Sequence, residues 1–211
     1  PMPENRGTLH PMTQSLSEIS EILESFGYTR YTGPEIEDDW HNFTALNTPM
    51  HHPARDMQDS FFLENGNVLR TQTSAIQIRA MESDGVPIKM FGIGSTYRKE
   101  WDATHGPMFG QIEGLYIDKN VTMSDLLADV RAFLAQFFGL DSVELRIRPS
   151  FFPFTDPSIE IDMKWRGGKW LEIMGAGMVH PNVLLNCGIN PDEYQGFAFG
   201  FGWDRLVMLK Y

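Results

Sequence analysis

The chain has 211 residues, of which 42% are hydrophobic and 12% aromatic, and its formal net charge is −11 at pH 7. This size and apolar content favour one globular domain over residues 1–211, while the acidic balance argues against a nucleic-acid interface formed by this chain alone. A single cysteine, Cys187, excludes an intrachain disulfide, and no apolar run has the length of a signal-peptide core or a membrane span, so we expect a cytoplasmic protein.

Residues 11–26 form the first predicted helix. Its apolar side chains recur at helical spacing, at Leu16, Ile19, Leu23 and Phe26. Pro11 suits the first turn and Gly27 follows the last one. The Gly33-Pro34 pair then predicts an extended segment over residues 28–39.

The histidine pair His51-His52, followed by Asp56, raises a zinc hypothesis. No cysteine or suitably spaced histidine completes a ligand set, so the pattern does not favour zinc. Further along, Asn65-Gly66 predicts a hairpin between residues 61–63 and 68–71. The second strand leads into a helix, and Ser74 at its start is typical of a helix cap.

Another hairpin is predicted within residues 94–118, where two apolar strands flank a turn-rich link. Side chains two apart on a strand share a face, which places together Phe109, Gln111 and Glu113. Arg98 on the facing strand and His105 in the link add positive charge suited to phosphate oxygens. An ordinary hairpin with a charged rim has the same pattern, and both interpretations stay open.

Residues 123–138 form the second strong helical pattern, preceded by the capping-box residues Thr122 and Asp125. Residues 143–148 alternate apolar and charged side chains, as a half-buried strand does. We assign neither segment any chemistry.

The aromatic group Phe151-Phe152-Pro153-Phe154 comes next, and such a group is typical of core packing more often than of a substrate pocket. Residues 159–165 and 170–174 then predict two strands joined by a glycine turn. The carboxylates of Glu160, Asp162 and Glu172 could supply oxygen to magnesium, and Glu160 and Asp162 are expected to be surface carboxylates.

The last predicted element, over residues 196–211, is a glycine-rich strand that enters a helix. Its glycines permit close approach of the backbone to a ligand, and Arg205 in the first helical turn can meet a phosphate. The lysine and glycine spacing of a P-loop is absent. Together, the hairpins and the separated helices predict an α+β domain with a mainly antiparallel sheet flanked by helices.

Several blocks resemble, in the same order, the catalytic alpha subunits of bacterial phenylalanyl-tRNA synthetases, a family of class II aminoacyl-tRNA synthetases. The blocks are residues 46–62, 69–79, 94–118 (similar to motif 2), 148–157, 169–181 and 196–206 (similar to motif 3). The resemblance implies the class II fold and the activation of L-phenylalanine with ATP and Mg²⁺, followed by transfer to tRNA(Phe). It also implies a dimer through the first helix, and a beta subunit and an N-terminal coiled coil that make most tRNA contacts.

The resemblance assigns the site residues in three groups. Those implied to hold the phosphates and support catalysis are Arg98, His105 and Arg205. Those implied to contact phenylalanine are Gln72, Ser74, Gln77, Gln111, Glu113, Phe152, Phe154 and Ala198. Further residues implied at the nucleotide are Glu100, Phe109 and Gly200, with Glu172 for the metal.

Three residues depart from the family's pattern. Gly110 stands where a histidine is usual, Asp204 where a glutamate is usual, and Trp203 is unusually bulky. The sequence therefore fits an excised or engineered catalytic core or a paralogue with altered chemistry. A regulatory module that binds an amino acid or nucleotide, and an enzyme for another amino acid or acceptor, remain as alternatives.

Overall fold

The computed structural model describes residues 7–51, 60–99, 106–166 and 168–211. The predictions for Glu100, His105 and the residues after His51 lie outside these ranges. The strands are β1 (Thr29–Tyr31), β2 (Ile36–Glu37), β3 (Val68–Leu69), β4 (Ile88–Tyr97), β5 (Met108–Asp118), β6 (Leu145–Phe152), β7 (Thr155–Trp165), β8 (Lys169–Val179) and β9 (Gln195–Gly202). The helices are α1 (Pro11–Ser25), α2 (Ala75–Asp84), α3 (Met123–Phe138), α4 (Pro181–Asn186) and α5 (Trp203–Lys210), with a π-helical turn at Trp40–Thr44.

A seven-stranded sheet organises the fold, in the order β1-β4-β5-β9-β8-β7-β6. Its strand pairs are antiparallel except that of β1 with β4. The predicted α+β class with a mainly antiparallel sheet is therefore confirmed. The central position of β9, between β5 and β8, brings the end of the chain against the predicted motif 2 hairpin.

The two faces of the sheet carry different cores, because side chains alternate along each strand. On β9, Phe197, Phe199 and Phe201 pack with α1 and α3. Ala198 faces the other way, toward α2 and α4. The second face is the one that also carries Gln111 and Glu113.

The helices follow the sequence pattern closely. The helix α3 has the predicted bounds, and Thr122 and Asp125 form the predicted capping box. The helix α1 begins at Pro11, as expected, and ends one residue before the predicted Phe26. In the described residues no helix has the length and apolar character needed to cross a membrane.

The predicted hairpin between residues 61–63 and 68–71 is formed between residues 61–63 and 67–69. Phe62 bridges Val68, and the backbone N–H of Leu69 donates to the carbonyl oxygen of Phe61 at 2.9 Å. The N–H of Leu63 donates to the carbonyl oxygen of Asn67 at 2.8 Å, and β3 also pairs with β2. Ile36 lies opposite Leu69 in this pair. Strand β3 therefore has a neighbour on each side, the predicted hairpin partner at residues 61–63 and β2 from the preceding extended segment.

Candidate active site

The carboxyl group of Glu113 is the centre of a buried polar cluster on β5. Its Oε1 accepts hydrogen bonds from Ser74 Oγ and Gln111 Nε2, both at 2.8 Å. Its Oε2 accepts one from Gln77 Nε2 at 2.9 Å. Only 5% of Glu113 is exposed, and this burial raises its pKa to about 7, although the Ser74 hydrogen bond and the charge of Arg70 act in the opposite direction.

The start of α2 supplies two of these donors. Ser74 occupies the N-cap position of α2 but makes no capping hydrogen bond through its side chain. The interpretation of Ser74 as a helix cap is therefore wrong, because its hydroxyl is directed to Glu113. The backbone N–H of Thr73 donates to Gln111 Oε1 at 3.3 Å, so the same loop orients both residues on β5. Gln72 lies half-buried in this loop.

Arg70 is a residue of the site that the sequence analysis missed. It is 2% exposed and donates through Nε to the carbonyl oxygen of Ser95 at 2.7 Å, and through Nη1 to that of Gly33 at 3.1 Å. Its guanidinium occupies the space beside Gly94, where a Cβ would lie 1.8 Å from Nη2. The glycine gave no signal by itself, because its role depends on an arginine 24 positions earlier in the chain.

Glycines form the floor beside Glu113. In register across the sheet, Glu113 lies opposite Gly200, and Gly200 lies opposite Gly175. A Cβ at position 200 would lie 3.0 Å from Glu113 Cγ and 3.2 Å from Gln111 Nε2. The absence of a side chain at Gly200 therefore lets the side chains of Glu113 and Gln111 lie close against β9.

Phe152 and Phe154 lie beyond these glycines, on the side away from Glu113. The ring of Phe152 lies over Gly175, where a Cβ would be 2.8 Å from Cζ. Its centroid is 5.9 Å from that of Phe154, with an angle of 15° between the ring planes. Both rings are half-buried, and Phe154 packs against the core cluster that contains Ala198. Since the Phe152 ring lies over Gly175 of β8, it is about two strand spacings, or about 10 Å, from Glu113 on β5.

Cationic groups gather at one end of the same strands. The guanidinium of Arg98 lies 4.9 Å from the ring centroid of Phe109, at the end of the β4–β5 hairpin where the link joins the two strands. Arg205, in the first turn of α5, donates through Nη1 to the carbonyl oxygen of Glu172 at 2.8 Å. Since Gly202 pairs with Gln111, α5 begins at the end of the sheet where Phe109 lies. Both arginines are exposed, as a site for an anionic ligand requires.

The carboxylates of β7 and β8 are largely engaged by arginines. Asp162 is 1% exposed and accepts hydrogen bonds from Arg146 and Arg148, so the prediction of a surface carboxylate is wrong for it. Its pKa is lowered, chiefly by the hydrogen bond from Arg148. Glu160 pairs with Arg148 at 2.7 Å. The side chain of Glu172 contacts Arg148 at 3.2 Å and is 52% exposed, which leaves it the most available of the three.

A second cluster was not found from the sequence. Among the described residues, Glu37, Asp38 and His41 form the group whose ligand atoms lie close enough to hold a metal ion. However, Arg79 binds both oxygens of Glu37, and the two ring nitrogens of His41 contact Asp38 at 2.8 Å and Glu82 at 3.0 Å. We interpret this cluster as an ion-pair network.

Comparison with solved structures defines the class of fold. Two structures of the pyrrolysyl tRNA synthetase of Desulfitobacterium hafniense superpose with a TM-score of 0.71. They are 22% and 20% identical in sequence, and each superposition covers 94% of this chain and 68% or 69% of the other. The fold is therefore that of a tRNA synthetase core.

Comparison of sequences identifies the family. The model for "tRNA synthetases class II core domain (F)" matches residues 2–211, and the chain belongs to this family. Similar curated proteins are the phenylalanine--tRNA ligase alpha subunits of Neisseria meningitidis serogroup B (54% identity over 206 residues), Laribacter hongkongensis (55% over 205) and Klebsiella pneumoniae (52% over 205). The alignments cover 97% of this chain and 62% of each relative.

Proposed function

We propose that this chain activates L-phenylalanine with ATP and that the product, phenylalanyl adenylate, donates its phenylalanyl group to tRNA(Phe). In the first step a carboxylate oxygen of phenylalanine forms a bond to the α-phosphorus of ATP. The bond from that phosphorus to the bridging oxygen breaks, and pyrophosphate leaves with the electron pair. Membership of the class II core family and the names of the similar proteins support this reaction.

One observation carries the choice of amino acid. A buried carboxyl group and an aromatic pair lie on the same face of the sheet, with glycines between them. Glu113 would accept hydrogen bonds from the ammonium group of the substrate, with Ser74, Gln77 and Gln111 holding the carboxyl in place. Phe152 and Phe154 would pack against the phenyl ring, and Ala198 would lie beneath it. A buried tyrosine hydroxyl would need a hydrogen-bond partner, which this apolar pair does not offer, so phenylalanine is favoured.

The nucleotide would lie at the cationic end of the site. Phe109 would stack on adenine, and Arg98 and Arg205 would hold the phosphates and stabilise the charge that develops as pyrophosphate leaves. Gly200 allows close approach of the ligand. Glu100 and His105 keep their predicted roles at adenine and the phosphates, on the basis of the resemblance alone.

Glu172 fits a magnesium ion that enters with the nucleotide. Such an ion takes one or two protein carboxylates and completes its coordination with phosphates and water. Glu172 keeps one carboxylate oxygen that no described arginine contacts, whereas Asp162 is occupied by two arginines. When bound, the ion would neutralise phosphate charge; the chain's own part is to orient the reactants.

Transfer to tRNA requires more surface than this sequence supplies. The net charge of −11 opposes binding of a phosphate backbone, and the chain spans 62% of the length of the relatives it matches. Those relatives are named alpha subunits. We therefore propose that a beta subunit and further segments make most tRNA contacts, and that α1 contributes to a subunit interface.

Exchange of pyrophosphate into ATP tests the proposal directly. The intact chain is incubated with ATP, magnesium and labelled pyrophosphate, and each common amino acid is added in turn. We expect exchange that depends on phenylalanine and is lost in Glu113→Gln, while Glu193→Gln, at an exposed position outside the proposed site, retains it. Phenylalanine binding without exchange would instead support a regulatory module, and exchange with a different amino acid would reassign the substrate.

A further inference from the structure

Trp203 occupies the space that a side chain at position 110 would need. A Cβ at Gly110 would lie 1.9 Å from Cε2 of the Trp203 indole and 2.1 Å from Cζ2. The glycine and the tryptophan therefore form one packing arrangement, in which a large residue at the start of α5 fits over a glycine of β5.

Asp204 makes a second contact at the same place. Its Oδ2 accepts a hydrogen bond from the backbone N–H of Gly110 at 3.3 Å. The N-cap residue of α5 is Gly202, which provides no side-chain cap, so α5 has no cap of the usual kind. Contacts from the first two residues of the helix instead attach its first turn to β5.

The next residue in that turn is Arg205. It reaches the opposite side, where it donates to the carbonyl oxygen of Glu172 on β8. Successive residues of an α-helix differ in direction by about 100°, so the seating of the indole on one side sets the direction of Arg205 on another. The first turn of α5 thus spans the end of β9, with one anchor on β5 and one on β8.

We infer that Trp203 is a positioning residue for the nucleotide: by filling the side-chain space of Gly110, its indole sets the direction of Arg205 relative to Phe109. Phe109 and Gln111 flank Gly110 on β5. Displacement of the indole would therefore shift Phe109, the proposed adenine contact, relative to Arg205, the proposed phosphate contact. This inference rests on the proposed function, since it concerns how the same site holds ATP.

The variants Gly110→Ala, Trp203→Phe, Trp203→Leu and the double variant Gly110→Ala/Trp203→Leu test the inference. The measurements are kcat and KM for ATP and for phenylalanine in pyrophosphate exchange, and ATP affinity by calorimetry. For Gly110→Ala we expect kcat/KM for ATP to fall about tenfold or more and KM for phenylalanine to change less than about threefold. Trp203→Phe should lower kcat/KM for ATP less than Trp203→Leu does. The smaller leucine leaves room for the added methyl group. In the double variant, kcat/KM for ATP should therefore be at least about threefold higher than the value predicted by adding the two single effects.

Gly114→Ala is the matched control. It adds the same methyl group on the same strand and face, against the ring of Phe199, where a Cβ would lie 2.2 Å from Cζ. Its packing defect is similar, but it lies away from α5, so ATP affinity should stay within about twofold of the original chain. Equal losses of ATP affinity in Gly110→Ala and Gly114→Ala, or strictly additive effects in the double variant, would overturn the inference.

Pyrophosphate exchange and ATP binding together distinguish failure of the proposed function from failure of the inference. If the original chain binds ATP but shows no exchange with phenylalanine, the function is refuted and the calorimetric comparison of Gly110→Ala with Gly114→Ala still decides the inference. If the original chain binds no ATP, the inference is refuted as well.

Discussion

Replacing Glu113 with glutamine should make the protein more stable at alkaline pH. In the folded chain, burial raises the pKa of Glu113 to about 7, against an ordinary value of 4.5. The folded state therefore holds this proton more tightly than the unfolded state, and stability falls as pH rises from about 4.5 through 7. The difference of about 2.5 pKa units corresponds to about 3 kcal/mol of unfolding free energy above pH 7.

Glutamine removes the titration and can keep most of the hydrogen bonds. Its oxygen can accept from Ser74 and Gln111, and its NH₂ group can donate to Gln77 once that side-chain amide has rotated by half a turn. We therefore expect Glu113→Gln to match the original chain near pH 4.5 and to exceed its unfolding free energy by about 2 to 3 kcal/mol at pH 8.

Urea unfolding at half-unit steps from pH 4.5 to 8 measures this difference, with tryptophan fluorescence and circular dichroism as paired probes. Other titrating groups affect both proteins alike and cancel in the difference. Glu24→Gln, which removes the same charge from an exposed site on α1, controls for net charge. The argument that burial raises the pKa of this carboxyl group would be refuted by either of two results. One is a difference in unfolding free energy that does not change between pH 5 and 8; the other is a Glu113→Gln variant that is less stable than the original chain at pH 8.

Three further outcomes follow from the site. Binding of phenylalanine at pH 7 should release about half a proton, because the ammonium group stabilises the ionised form of Glu113; calorimetry in buffers of different ionisation enthalpy measures this, and zero release would contradict it. Ala198→Gly should admit para-substituted phenylalanines in the exchange assay, because it removes the methyl group proposed to lie beneath the ring; unchanged selectivity would move that residue out of the pocket. Asp162→Asn should lower the unfolding free energy by about 1 to 2 kcal/mol, less than a fully buried ion pair because its arginine partners are nearly half exposed, while Glu160→Gln should lower it by less than about 1 kcal/mol. Equal effects in these last two variants, by urea unfolding, would show that burial of Asp162 does not matter.

Local signals in the sequence were sufficient for the helices. The helix α3 has its predicted bounds because an apolar stripe, a capping box and the left-handed Gly139 at its end all agree. Strand pairs between neighbours in sequence, such as the β4–β5 hairpin, could be predicted equally well. In contrast, the place of β9 between β5 and β8 depends on pairings such as Glu113 with Gly200, which no local pattern encodes.

Polar residues were harder to interpret, because one residue type can serve several partners. Ser74 has the position of a helix cap, and only the buried carboxyl of Glu113 shows why its hydroxyl turns away. Asp162 alternates with apolar residues like a surface carboxylate, yet two arginines on β6 allow its burial. In both cases the decisive group lies on a different element of the fold.

The glycines of the sheet show where sequence reasoning ends and structure becomes necessary. A glycine inside a strand weakens it, so each requires a compensating neighbour. At Gly92, Gly110 and Gly114 that neighbour is a side chain of the protein itself, from Ile76, Trp203 and Phe199 respectively. At Gly200 the neighbours are instead Gln111 and Glu113, polar groups with hydrogen-bonding capacity. The same residue type thus makes room for apolar side chains of the core in three places and for polar side chains of the proposed substrate site in one, and only the identity of the atoms opposite distinguishes the two uses.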